Sequence, residues 1–526
     1  MNENKGKRVL AMVLIYIFLI TLGGLSWKFI FLPRRQKKIL EKTGSDSQYK
    51  YTLTLALDSF SGYAALRSPE FHKDLKTQGI KLQINDDQAD YKARIKALQN
   101  GEIQMAVFTV DSLIATSADL GEYPGTIILV IDESRGADAI VAYKSAVPTL
   151  QDLDHPDARF VLTPNSPSEF MARVVLADLN LANLSPKWIT PANGAVEVFK
   201  EFRSADRKKK NAYVLWEPAV TLALKEEGAH TLLDSSQLKG FIMDVLVARR
   251  EYLVERHDVV KAVAATYFRT LYHYTNKEKG LENLVLEDSR QKGMTSLDEA
   301  QAKKLVEGIL WKNTMENYGH FGLLSGSDSQ GLAHIEDIIN KITQVLIITR
   351  AMDRDPLAGD PGILFYNKIL KELMAEGFHP GKKLNILTDP RVGVLAPDNI
   401  RVEKNLPPLT EDQWKRLQPI GELRIEPISF ARGTDRINIQ SKRCLDDLSE
   451  RIKSWPRAYV RVTGNTRSEG DLTANKILAY KRANAVREYL LSKGIQENRI
   501  RAEASEDIGK EGGTQTVSFI LGYIPY

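Results

Sequence analysis

RVTGNTRSEGDLTANKILAYKRANAVREYL, residues 461–490, decides how the end of this chain folds. It reads as a strand, a glycine-punctuated loop and a long helix. The loop mixes Asn465, Thr466, Arg467 and Glu469, and the helix carries Arg482 about two turns in. Its neighbours extend the pattern. IGELRIEPISFARGTDRI is a strand and turn, and INIQSKRCLDDLSERIKSWP (437–456) is an amphipathic helix with Ile439, Cys444, Leu445, Leu448 and Ile452 among its apolar positions. AYVRVTG (458–464) alternates as a strand does, and GIQENRIRAEASED (494–507) and TVSFILGYI (516–524) add two more strands. Residues 420–526 are therefore expected to form a compact α/β sandwich.

This unit resembles the OmpA-like (OmpA/MotB) peptidoglycan-associating domain. Gly464, Thr466, Gly470, Asn475, Leu478, Arg482, Ala483, Val486, Tyr489, Leu490, Gly494 and Ile495 fall in register with that family's loop and helix, and Phe430 and Gly433 match its first strand and turn. The resemblance implies a pocket for the diaminopimelate side of the cell-wall peptide, with an acid on the ligand's ammonium and the helix arginine on its carboxylate. The candidate peptidoglycan-binding residues are Asn465, Thr466, Arg467, Asn475 and Arg482. Two of them depart from the pattern. Asn465 stands at the histidine position, where an amide still forms hydrogen bonds. Arg467 stands at the aspartate position and reverses the sign of the interaction with an ammonium. Either Glu469 or Asp471 takes over the acid role from the loop, or Arg467 pairs with Glu469 and the loop becomes structural.

The whole chain has 526 residues, too many for one core, and three folded units are expected. Hydrophobic residues make up 43% and charged residues 26%, which are globular values, and a net charge of +5 gives no reason to expect nucleic acid as a partner. A single cysteine, Cys444, excludes an internal disulfide and a Cys-rich zinc site. The eight histidines include no HxxxH or HExxH pair, so neither a metal nor a cofactor is expected.

From Tyr51 onward short apolar strands alternate with amphipathic helices. YTLTLAL (51–57) and IKLQIND (80–86) are strands, DYKARIKALQNGEI (90–103) is a helix, and MAVFTVDSLIATSADL (105–120) is strand, loop, helix. TIILVIDESRGADAIVAYK (126–144) reads as two strands flanking a polar loop. This alternation predicts a mostly parallel sheet, with ligands at the strands' carboxyl ends near loops Asp58–Gly62 and Asp132–Asp138. The grammar repeats in RFVLTPNSPSEFMARVVLADLNL (159–181), AYVLWEPAVTLALKEEG (212–228) and the strand and long helix of 241–275. Connections near 139–147 and 240–248 suggest two lobes joined by a hinge.

The run DESRGADAIVA, the helix opener PNSPSEFM, the WEPAV turn and the order of elements resemble type II periplasmic substrate-binding proteins, in the branch handling nitrate, sulfonates, taurine and thiamine precursors. The resemblance covers roughly residues 50–325 and implies an ABC-transporter-like receptor closing over a small anionic or zwitterionic solute. By position, Ser59, Tyr63, Thr109, Asp132, Ser134, Asp138, Ser166, Ser168, Trp216 and Glu217 would face the cleft. Ser166 and Ser168 read equally as an anion cradle or as helix caps. Asp132 and Asp138 read also as loop or hinge hydrogen-bonders, and Trp216 as core. The thiamine-precursor synthases similar to this branch use a cysteine-rich segment that is absent here, so no catalytic residue is assigned and an enzyme is not expected.

Helices are expected within 327–352, with an apolar stripe at Ile335, Ile338, Ile339, Ile342 and Val345, and within 363–378. At the other end, MNENKGKR precedes VLAMVLIYIFLITLGGLSW (9–27), nineteen residues without a charge. As a helix that run spans roughly 28 Å, close to the hydrocarbon thickness of a bilayer. No small-x-small site follows it, which favours an uncleaved anchor over a signal peptide. The flanking lysines and arginines lean the wrong way for an exported body, so orientation rests on the two envelope resemblances.

The expected architecture is α/β throughout: a cytoplasmic tail (1–8), a transmembrane anchor (9–32), a two-lobed type II binding-protein domain (50–387), a linker (388–419) and an OmpA-like α/β sandwich (420–526). The expected place is the bacterial inner membrane, single-pass, with the bulk of the chain in the periplasm. The expected partners are a small solute, peptidoglycan, the inner membrane and other membrane-complex proteins, with a non-transport scaffold or sensor subunit as the alternative role.

Overall fold

The computed structural model describes residues 49–291, 297–325, 331–382, 398–401, 405–466, 470–508 and 516–524. The tail and anchor expected over 1–32 lie outside the described residues, as do Arg467, Glu469 and much of the expected linker. Among the described residues no helix is long and apolar enough to cross a membrane.

Strands β1 (Tyr51–Leu57), β2 (Ile80–Asp86), β3 (Met105–Thr109) and β4 (Gly125–Ser134) begin the first lobe. The chain then builds the second lobe from β5 (Asp138–Tyr143), β6 (Arg159–Leu162), β7 (Ile189–Pro191), β8 (Asn211–Trp216) and β9 (Ala229–Asp234). It returns to the first with β10 (Met243–Arg249) and β11 (Ile309–Trp311). The first sheet runs β11-β4-β10-β3-β1-β2 and the second β7-β6-β8-β5-β9. Strands β3, β4 and β5 are buried at every residue, as continuous apolar runs covered by helices on both faces should be.

Two expectations are corrected. The sheets are mixed: β10 runs antiparallel to β3 and β4, and β5 antiparallel to β8 and β9. A strand entering a lobe from across the hinge arrives from the opposite end, which sets its direction. The crossings themselves are 135–137 and 235–242, since the positions expected fall largely on β5 and β10, and β4 continues through Asp132, Glu133 and Ser134. Those residues pair with β10 and β11, so they are strand, and the polar loop shrinks to 135–137.

The helix Ile335–Ile348 buries its whole expected stripe, Ile335, Ile338, Ile339, Ile342 and Val345. It lies against both Val110–Leu120 of the first lobe and Pro167–Asp178 of the second. Arg173 on the latter reaches the carbonyl of Thr349 at 3.0 Å. The second expected helix is Lys368–Ala375.

The C-terminal sheet contains β12 (Gln418–Glu422), β13 (Tyr459–Thr466), β14 (Ile500–Ile508) and β15 (Val517–Tyr523) in the order β12-β15-β13-β14. Helix Ile439–Lys453 precedes β13, and Leu472–Ser492 crosses between the parallel β13 and β14. Gly464 permits that crossover helix to lie against the strand. A Cβ there would fall 2.1 Å from the carbonyl oxygen of Ala479.

This unit docks on the second lobe. The carboxylate of Asp178, at the end of helix Pro167–Asp178, accepts from Arg451 Nε at 2.7 Å and from Trp455 Nε1 at 2.8 Å. Leu179 bridges Leu423, and Lys239 N donates to the carbonyl of Ser454 at 2.9 Å. Trp455 is fully buried there.

Candidate functional site

Strand register assembles the cleft. On the first lobe Asp132 of β4 stands directly opposite Asp244 of β10. Like charges at such a cross-strand position repel, so the pair needs a proton or a cation between its carboxyls. Tyr63 donates its hydroxyl to Asp244 Oδ1. Neither oxygen of Asp132 has a partner among the described residues other than the facing carboxyl of Asp244. Gly62 leaves the room, since a Cβ on it would fall 2.5 Å from Asp132 Oδ2. On the second lobe Asp138 of β5 stands opposite Trp216 of β8, and Asp138 Oδ1 has no hydrogen-bond partner among the described residues.

Where the lobes meet, Asp58, Tyr63, Tyr91 and Asp244 of one face Asp138, Pro167 and Trp216 of the other, with Phe60 and Ile242 completing the wall. Only about 10 Å³ of free space remains between them, roughly one water. A second space of about 110 Å³ lies at the rim between Asp111 and the start of helix Pro167–Asp178, closed by Leu346 and Met352. Asp111 Oδ1 is likewise buried without a partner among the described residues.

The basic groups nearby are committed. Arg94 donates to Asp58 at 3.1 Å and to Asp87 at 2.6 Å while lying 4.6 Å from the ring centre of Tyr91. Lys312 reaches Glu133 at 2.7 Å, and Arg173 holds Glu169. Burial pushes Asp138 and Asp111 up to about 7. Burial and mutual repulsion raise the Asp132–Asp244 pair together. Glu133 goes the other way: burial would raise it, but Lys312 and Arg135 hold it below the usual carboxylate range. The cleft is therefore acidic and aromatic, the opposite polarity to that expected for an anionic guest.

Of the ten candidate cleft residues, Tyr63, Asp138 and Trp216 line the central space, and Asp132 stands behind Asp244. Ser166 borders the rim space but also caps its helix, accepting from Ser168 N at 3.1 Å and donating to the carbonyl of Thr163 at 2.6 Å. Ser168 is buried with its hydroxyl unpartnered among the described residues. Thr109 bonds Ser112 at 2.9 Å, and Ser134 bonds Ser235 at 2.8 Å beside the hinge. Glu217 is held by Thr221 Oγ1 at 2.8 Å, and Ser59 is half-buried and lines neither space.

Asp58 and Phe60 lie in the loop Asp58–Gly62 expected at the ligand end but were not among the candidate residues, and Tyr91 and Asp244 were not foreseen. Asp244 had a signal, a lone acid inside the apolar strand MDVLVAR. Tyr91 had none, being one residue on an ordinary amphipathic helix. No group of three His, Cys, Asp or Glu among the described residues is placed to hold a metal.

In the C-terminal unit Asn465 ends the strand, its Nδ2 donating to Thr516 Oγ1 at 3.1 Å, and Thr466 is the last residue of β13. Asp471, one of the two expected substitute acids, caps the next helix, accepting from Thr473 N at 2.8 Å and Ala474 N at 3.1 Å. Asn475 sits in that helix's first turns, its N–H donating to the carbonyl of Asp471. Arg482 is buried, donating to the carbonyl of Thr434 at 2.9 Å with its guanidinium 4.9 Å from the Phe430 ring centre. It thus faces the Phe430–Thr434 turn, where Gly433 takes a φ of +70°.

Residues 429–516 match the OmpA family model, and the C-terminal unit is an OmpA domain. The chain is also similar to solved periplasmic binding proteins. The alkanesulfonate-binding protein SsuA of Xanthomonas axonopodis pv. citri, bound to MOPS, is 15% identical, with 58% of this chain and 96% of that one covered and a TM-score of 0.44. The aliphatic sulphonate binding protein SsuA of Escherichia coli is 15% identical, with 65% and 98% covered and a TM-score of 0.43. The nitrate-binding protein NrtA of Synechocystis PCC 6803 is 12% identical, with 61% and 98% covered and a TM-score of 0.40. The ligands of those proteins are theirs, and the two-lobed arrangement here rests on the sheet topology itself. Comparison with curated protein sequences finds no match.

Proposed function

We propose that this chain is a solute-binding receptor of the bacterial cell envelope, held at the inner membrane and associated with the cell wall. The cleft carries this reading. Two lobes joined by two short crossings meet on buried carboxyls and aromatic rings at the ends of their strands, where small ligands bind in such folds. Rotation about 135–137 and 235–242 would open that seam and enclose a solute on closing. Residues 50–387 act as the receptor and 388–419 as the linker. Residues 9–32 act as a single-pass anchor, with 1–8 cytoplasmic and the bulk of the chain periplasmic, where a transporter or another membrane complex would meet it. The uncharged run 9–27 and the OmpA family match support that placement. Residues 420–526 associate with peptidoglycan through Asn465, Thr466, Arg467, Asn475 and Arg482, and the role is binding, with no catalytic residue.

A scaffold or sensor subunit is the second reading. It is favoured by the helix Ile335–Ile348 strapped across both lobes, and by the engagement of Asp471 in capping.

Thermal shift of the full chain against anions, zwitterions and amines tests the receptor: a raised midpoint with one class supports it, and no shift with any supports the scaffold. Co-sedimentation with purified peptidoglycan tests the wall contact. Arg482→Ala is expected to lose at least about ten-fold in affinity, the scale of one charge-assisted hydrogen bond. If the unaltered chain stays in the supernatant and Arg467→Asp pellets, the site was lost through that one residue.

A further inference from the structure

The ion pairs around the cleft leave three carboxyls uncompensated. Asp58 has Arg94, Glu133 has Lys312 and Arg135, and Glu169 has Arg173. Asp132, Asp138 and Asp244, each at most 2% exposed, form no ion pair among the described residues. They come from three strands and both lobes, and Asp138 and Asp244 line the same space. Asp138 Oδ1 has no hydrogen-bond partner among the described residues. A buried carboxyl in that position is a site for whatever supplies a positive charge.

An anion does not fit. It would sit against three buried carboxyls with no cation to offset it, since Arg94, Lys312 and Arg173 are already paired. A metal ion has no set of three ligands in place among the described residues. The remaining lining is Trp216, Tyr91, Phe60 and Tyr63, whose ring faces attract an organic cation and cover its carbon skeleton.

We propose that the cleft selects a small organic ammonium solute, its charged nitrogen seated between Asp138 and Asp244 with Asp132 behind, and its carbon surface against Trp216, Tyr91 and Phe60. The assignment rests on the receptor reading and names the charge of its guest. In a closed arrangement with little free space, the solute enters by parting of the lobes, and its charge draws them together because Asp138 and Asp244 belong to different lobes.

The same geometry couples binding to protons. Burial keeps Asp138 near a pKa of about 7 and raises the Asp132–Asp244 pair, so at neutral pH these acids hold protons that a cation displaces. The ionisable groups around Asp138 are Asp58, Asp111 and Glu217, all acidic, and Ser134 bonds its carboxylate. Those around the pair are Asp138, Tyr63, Tyr91, Tyr267 and the Glu133–Lys312 ion pair. None but Lys312 is cationic, and Lys312 is bonded to Glu133.

The test is calorimetric titration of the full chain in detergent with putrescine and with choline chloride, then with taurine, sodium nitrate and sodium ethanesulfonate. At least one amine is expected to bind, at least ten-fold tighter at pH 8 than at pH 6, with heats that change with the ionisation enthalpy of the buffer as protons leave. Asp138→Asn and Asp244→Asn are each expected to weaken that amine at least ten-fold. The proton release is read on the unaltered chain, so a variant that fails to fold does not shield the idea. Binding confined to taurine, nitrate or ethanesulfonate overturns the cation and leaves the receptor standing. Heat from none of the five overturns both. Amine binding untouched by either substitution, or without proton release, overturns the site.

Discussion

At the scale of single residues, the decisive feature is a set of carboxyls kept from ionising by burial. A group whose folded-state pKa lies above its unfolded value stabilises the fold fully below the unfolded value, near 4, and loses that contribution as pH rises through the folded one. For Asp138 and Asp111 the folded value is about 7. The thermal midpoint of the chain is therefore expected to fall as pH rises from about 4 to about 7 and to level off above that. Two other buried groups act in the opposite sense: His320, lowered by burial to about 4, offsets part of the fall below its ordinary value, and Lys341, lowered by burial to about 8, adds stability only above the window. Asp138→Asn should flatten the fall and raise the midpoint at pH 8, since an amide carries no charge to bury. Differential scanning calorimetry across the window checks this, and a slope unchanged by the substitution would refute it. Asp138 was legible as a cleft candidate from its place after a strand. Asp244 showed only as a lone acid in an apolar strand, because only pairing of β10 with β4 brings it opposite Asp132.

At the scale of elements, register and close approach set what each segment can do. The expected loop Asp132–Asp138 became mostly strand, because β10 and β11 offer its backbone partners that a lone segment lacks. The stripe on Ile335–Ile348 was legible, since its spacing alone puts five apolar residues on one face. That the face spans both lobes was not. The sharpest local constraint is at Gly464, where the crossover helix lies on β13. Gly464→Ala is expected to destabilise the OmpA domain by about 2 kcal/mol or more, because the added methyl meets backbone rather than a side chain that could turn aside. Urea unfolding followed by tryptophan fluorescence measures it, and a loss below about 0.5 kcal/mol would show that the helix shifts freely.

At the scale of the whole molecule, the OmpA domain rides on the second lobe. Helix Pro167–Asp178 borders the cleft at its start and holds Arg451 and Trp455 at its end. Asp178→Ala leaves the buried Trp455 indole N–H without its acceptor and takes from Arg451 its carboxylate, leaving that guanidinium the carbonyls of Arg424 and residue 178, at a cost of about 2 kcal/mol. The expected outcome is separation of one unfolding transition into two, with faster proteolysis across the interface. A single unchanged transition would mean that the docking rests on Leu179, Leu423 and the backbone bonds alone.

The amino-acid sequence by itself determined the kinds of element and the OmpA register, because strand alternation, helical stripes and glycine positions are local properties of the chain. It also marked Tyr63, Asp132, Asp138 and Trp216, since loops and strand ends are where ligands meet such folds. Only the tertiary structure decided the polarity of the cleft. Whether an aspartate is neutralised depends on which distant arginine reaches it, and Arg94 reaches Asp58 while no cation reaches Asp138, Asp132 or Asp244 among the described residues. Charge compensation is a long-range fact, settled by folding rather than by spacing along the chain.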